Sequence, residues 1–64
     1  MPDRLIMDEL HLTVSVPADE RDEWYERVRA VLNSAAFLAR VRRAVHVVVR
    51  GHPDLDGVRV RVTR

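Results

Sequence analysis

The sequence VLNSAAFLARVRRAVHVVVRG, residues 31–51, combines a helix break with an amphipathic segment, and these two features determine the arrangement of the chain. After Ser34 the apolar residues recur every three or four positions, which is the spacing of one face of an α-helix. Ser34 is a residue type that caps helix amino termini, and Gly51 followed by Pro53 is typical of a helix stop. The pattern predicts a helix between Ser34 and Gly51.

The residues before this stretch predict another helix. PADERDEWYERVRAVLN, residues 17–33, places acidic side chains in its first turns, where they suit the positive end of the helix dipole. One continuous helix is the alternative, but at about 100° per residue its two apolar arcs would face nearly opposite sides. A break near Asn33, a residue that tolerates the left-handed conformation, lets both arcs face one core. The sequence therefore predicts a helical hairpin.

The segments on either side of the hairpin alternate between apolar and polar residues. LHLTVSVP, residues 10–17, places Leu10, Leu12, Val14 and Val16 on one face. VRVRVTR, residues 58–64, does the same with its valines and follows an Asp-Gly turn signal. Strict alternation is typical of a strand with one buried face. The predicted order is β-α-α-β.

This order predicts an α+β fold in which the helical hairpin packs on one face of a two-stranded antiparallel sheet. Residues 1–64 form a single small domain, and residues 1–9 are interpreted as an extended arm. A two-stranded sheet is only marginally stable and leaves both edges unpaired. We therefore expect a homodimer, formed through residues 5–16, to complete the fold.

The size of the chain also favours association. A domain of 64 residues buries only about 60% of the surface that its unfolded chain exposes. Small domains usually add disulfides, a metal or a partner subunit. The chain has no cysteine, so disulfides are excluded, and packing against another chain is the expected supplement.

The net charge of +1 conceals two opposed blocks. Residues 1–33 contain eight acidic residues and four arginines, which give −4, whereas residues 34–64 contain seven arginines and two acidic residues, which give +5. Such blocks can pair within the fold, between copies or with a partner. The low net charge argues against a dedicated DNA-binding domain, because these usually carry a strongly basic surface.

The polar back of the predicted second helix is the main candidate binding face. Its members are Arg40, Arg42, Arg43, His46 and Arg50. This face could bind an acidic protein or a phosphate backbone. The alternative interpretation is a solvated helix back whose arginines pair with the acidic first helix. Val47 stands among these residues and is expected to be exposed, which favours a contact surface.

Two further arginines, Arg59 and Arg61, belong to the candidate site. In the predicted sheet their side chains would lie on the outer face, beside His11, Thr13 and Ser15. This polar face could bind an anion, although no aromatic residue is present to stack a base. The alternative interpretation is an ordinary solvated sheet surface.

Catalytic and metal-binding patterns are absent from the sequence. No two histidines have metal-site spacing, and HPDLDG, residues 52–57, lacks the third acid and the distal glutamate of a calcium loop. No serine has a patterned base, and no glycine-rich phosphate loop is present. We therefore expect no enzyme activity, no cofactor and no metal.

The function predicted from these features is a small protein-interaction or assembly module that acts through a sheet edge and the arginine face. The alternative is a nucleic-acid-binding regulator that uses the second helix. No apolar run approaches the roughly 18 residues that a membrane span needs, and the first residues lack a signal-peptide pattern. A cytoplasmic protein with no membrane partner is the expectation.

Overall fold

Two helices separated by a sharp break form the centre of the chain. In the computed structural model, which describes residues 4–64, α1 spans Asp22–Leu32 and α2 spans Ala35–Arg50. A single 3₁₀ turn, Pro53–Leu55, follows. The predicted pair of helices is confirmed, although α1 begins at Asp22 and not at the proline end of the predicted segment.

Ser34 makes the break between the helices. Its hydroxyl oxygen accepts a hydrogen bond from the Phe37 N–H at 3.1 Å, and the hydroxyl donates to the Val31 carbonyl at 2.7 Å. The side chain thus satisfies one donor at the start of α2 and one acceptor at the end of α1. Asn33 keeps a right-handed conformation, with φ −90° and ψ −3°, so the expected left-handed stop is not used.

The end of α2 is also formed differently from the expected pattern. Gly51 has φ −76°, a conformation open to any residue, and its N–H donates to the carbonyls of Val47 and Val48. The glycine that needs a positive φ is Gly57, at 86°, which turns the chain after the 3₁₀ segment. The Asp-Gly turn predicted at this point is confirmed.

The predicted β-α-α-β fold with a two-stranded antiparallel sheet is wrong, because residues 4–64 contain no strand. Residues 10–16 and 58–64 run without helix or ladder. Alternation indicates a chain suited to a pleated surface, but pairing still depends on the context in which the segment lies. In residues 58–64, the carbonyls of Val60 and Val62 meet side chains of α2 and not the backbone of a neighbouring strand.

The apolar residues of the predicted helices and strands are expected to form one core of nine residues, and this core is formed only in part. Six of its members are half-buried: Trp24, Val28, Phe37, Val41, Val45 and Val60. Three others are exposed, with Leu12 at 74%, Val14 at 51% and Val48 at 60% of their full accessible surface. No described residue is fully buried.

The overall dimensions agree with this open packing. The Cα radius of gyration is 15.9 Å, whereas a compact domain of this length has about 11 Å. The molecule measures 49 × 26 × 20 Å along its principal axes. The two helices and the segment beside them therefore leave much of the apolar surface uncovered.

The Ser34 junction yields a direct test. Replacing Ser34 by Ala removes both hydroxyl hydrogen bonds, and we expect this to lower stability by about 1 kcal/mol, as for other helix caps. Ser34→Asp is the matched control, because it keeps the acceptor and places a negative charge at the start of α2. Thermal unfolding followed by circular dichroism measures both. Equal melting temperatures for wild type and Ser34→Ala would contradict the assigned role.

Candidate binding groove

Residues 58–64, here called the carboxy-terminal segment, lie against α2. The Nε atom of Arg42 donates to the Val62 carbonyl at 3.0 Å, and Nε2 of His46 lies 3.3 Å from the Val60 carbonyl oxygen. The four residues from Arg42 to His46 advance about 6 Å along α2, and two residues of extended chain advance about 6.6 Å. The match in spacing shows that the segment runs extended and antiparallel to α2.

Both ends of this region have arginine contacts as well. Arg64 donates to the carbonyl of Leu32, the last residue of α1. Carbonyls at a helix end lack intrahelical partners, and a cation there meets the negative end of the helix dipole. Before the segment begins, Arg4 donates to the Gly57 carbonyl at 2.7 Å. The carboxy-terminal segment is therefore positioned by side chains, not by a backbone ladder.

An open groove of about 650 Å³ lies between α2 and the carboxy-terminal segment. Its polar lining consists of Arg42, Arg43, His46, Arg50 and Arg59. Its apolar lining consists of Ala39, Val49, Val58 and Val60. Four arginine side chains and several valines line the same groove, which suits a ligand that carries negative charge and also has an apolar part.

The groove contains five of the seven residues that the sequence singled out. Arg40 and Arg61 do not line it. Two of the five also hold the carboxy-terminal segment, since Arg42 and His46 contact its carbonyls. The sequence placed these residues on a free helix back and missed that contact. Arg42 and His46 are four positions apart, which puts both on one helix face, and this spacing is the sequence feature that indicates a shared contact.

The predicted polar sheet face is not formed, because the sheet itself is absent from the described residues. His11, Thr13 and Ser15 are exposed in the amino-terminal part of the chain, and no ladder joins them to Arg59 or Arg61. The expectation for Val47 is confirmed, because 56% of its surface is exposed.

The Tyr25 hydroxyl of α1 connects that helix to the amino-terminal part of the chain. The Tyr25 hydroxyl donates to the Pro17 carbonyl, and the N–H of Glu20 donates to the same hydroxyl oxygen at 3.2 Å. Trp24 packs edge-on against Tyr25, with ring centroids 5.4 Å apart. These contacts hold the residues around Pro17 and leave residues 5–16 beyond them exposed.

Other kinds of site find no support in the part of the chain that the structure describes. Residues 4–64 contain no group of three or more histidine, aspartate or glutamate side chains placed to bind a metal. Within the same residues, neither helix has the length and apolar character needed to cross a membrane. Comparisons with protein-family models, curated proteins and solved structures found no match to this chain.

The contacts of Arg42 and His46 predict how firmly the carboxy-terminal segment is held. One hydrogen bond contributes about 1 kcal/mol, so losing Arg42 should raise the open population of the segment about fivefold. Tryptic cleavage after Arg59 reports this population when opening is fast. We expect Arg42→Ala to speed that cleavage and Arg43→Ala, its neighbour in the groove, to leave the rate near wild type. Equal rates for the two variants would show that the Arg42 contact does not hold the segment.

Proposed function

We propose that this protein is a small non-catalytic interaction module whose amino-terminal arm, residues 5–16, binds another protein chain. The observation that carries the proposal is the exposure of Leu10, Leu12, Val14 and Val16, which alternate with polar residues along the chain and are here called the apolar row. Leu10 is 89% exposed, and exposure falls to 43% at Val16, where the chain nears α1. Monomeric proteins seldom expose apolar patches of this kind unless they serve an interaction.

The partner that we propose is a second copy of the chain. The monomer has no fully buried residue among those described, and a marginal core of this kind is commonly completed by oligomerisation. The opposed charge blocks of residues 1–33 and 34–64 support association between copies, since they offer each copy a complementary surface.

The proposal assigns no reaction and no cofactor to the chain. The Ser34 hydroxyl is engaged as a helix cap, so it is not a free nucleophile. We also propose a cytoplasmic location, which a chain without cysteine suits.

The row of apolar side chains gives the test of this function. Leu12→Asp places a charge in the row, and we expect it to weaken association at least about tenfold, because burying one leucine contributes about 1.5–3 kcal/mol. Thr13→Asp is the matched control, since it places the same charge at the neighbouring polar position, outside the apolar row. Sedimentation at micromolar concentrations should give a dimer for wild type and Thr13→Asp. A wild-type monomer at every concentration would overturn the proposal.

Binding to a phosphate backbone is the second candidate function, and the groove favours it. Arg43, Arg50 and Arg59 converge there, although the acidic block of residues 1–33 would repel a long polyanion.

Salt dependence distinguishes the two functions. If the groove binds DNA or RNA, affinity should fall with salt at a log–log slope of about −0.9 per phosphate contacted. The double change Arg43→Ala and Arg50→Ala should then flatten the slope by about two units, whereas Arg27→Ala on α1 should not. We expect no tight binding of either nucleic acid near physiological salt. Nanomolar binding that the double variant loses would place this function first.

A further inference from the structure

We propose that the arm of one copy pairs with the carboxy-terminal segment of the other copy. Residues 10–16 would add as an antiparallel strand to residues 58–64, and the second arm would do the same in return. This inference rests on the proposed function and names the surface that the arm occupies.

The first argument is the free edge of the carboxy-terminal segment. In an extended chain the backbone groups of alternate residues point to opposite edges. The carbonyls of Val60 and Val62 point to α2, where His46 and Arg42 meet them. The N–H and carbonyl groups of residues 59, 61 and 63 therefore point to the other edge, away from α2. This edge is a template to which a strand can be added.

The second argument is the match between the two segments. Each has seven residues, and in one antiparallel register all seven overlap, with Leu10 opposite Arg64 and Val16 opposite Val58. This register also pairs Leu12 with Val62. On one face it joins apolar side chains to the half-buried valines of the carboxy-terminal segment. Such cross-strand apolar pairs stabilise a ladder by roughly 0.2–1 kcal/mol each.

The third argument is charge. In this register Thr13 lies opposite Arg61 and Ser15 lies opposite Arg59, so no cation faces another. Pairing two carboxy-terminal segments with each other would instead set Arg61 against Arg61, which like-charge repulsion disfavours. Pairing two arms with each other avoids that repulsion but leaves the free edge of both carboxy-terminal segments uncovered. Reciprocal exchange covers both apolar rows and both edges.

The pairing is between copies because the segments of one copy do not make it. Within the described residues, no ladder joins residues 10–16 to residues 58–64. In its own copy, Arg4, which precedes the arm, donates to the Gly57 carbonyl ahead of the segment. Exchange of an element between identical chains is a common route to a two-fold dimer.

Cysteine cross-linking tests the inference, and the chain is suited to it because it contains no cysteine. Two single variants, Thr13→Cys and Arg61→Cys, are mixed in equal amounts under mild oxidation. Opposed residues in an antiparallel pair have Cα atoms about 4.5–5.5 Å apart, within disulfide range. Intact mass spectrometry separates the three dimers because the two variants differ in mass. We expect the mixed dimer to exceed the share that random collision gives.

A control variant and a double variant make the outcomes distinct. Arg29→Cys, exposed on α1, measures random collision and should show no preference for Thr13→Cys. A dominant Thr13→Cys homodimer would overturn this inference and leave the proposed function intact. A chain that carries both cysteines and closes its disulfide internally, at the mass of a monomer, would also overturn it. Sedimentation of wild type as a monomer would instead overturn the proposed function.

Discussion

Backbone carbonyl groups need a hydrogen-bond donor, and side chains of α2 supply that donor to two carbonyls of the carboxy-terminal segment. The contacts of Arg42 with Val62 and of His46 with Val60 set the segment along the helix in an extended form. The groove lies between α2 and the segment because these contacts hold the segment there. Valines of both α2 and the segment line it. The same contacts leave the opposite edge of the segment unpaired, which is why a strand from another chain could be added to it.

The apolar surface of the chain exceeds what two short helices can cover. Most apolar residues of α1 and α2 are half-buried, although Val31 and Val48 are exposed, whereas every member of the row from Leu10 to Val16 is exposed. Because the hydrophobic effect favours removal of such surface from water, the exposed row is the strongest indication of a partner. The arginines of the groove form a basic surface in the second half of the chain, and the acidic block lies in the first half.

Local patterns in the sequence predicted the helices well and the sheet poorly. The Ser34 cap, the helical spacing after it and the Asp-Gly turn depend on neighbours in the chain, so they could be identified without a structure. Pairing of residues 10–16 with residues 58–64 depends on a non-local contact, and alternation alone does not say which donor a strand edge will meet. The candidate site also has one part that local sequence predicts and another that depends on non-local contacts. Grouping of Arg42, Arg43, His46 and Arg50 follows from helix geometry, whereas their position beside Arg59 required the fold.

Amide exchange in the unmodified chain can show whether a second copy covers the exposed arm. Backbone amides of residues 10–16 have no helix or ladder partner in the monomer, so they should exchange rapidly at low protein concentration. As the concentration rises through the range of association, we predict that alternate amides of the arm become protected while those inside α2 change little. Arm amides that exchange at unstructured rates at every concentration would show that no second copy covers the arm.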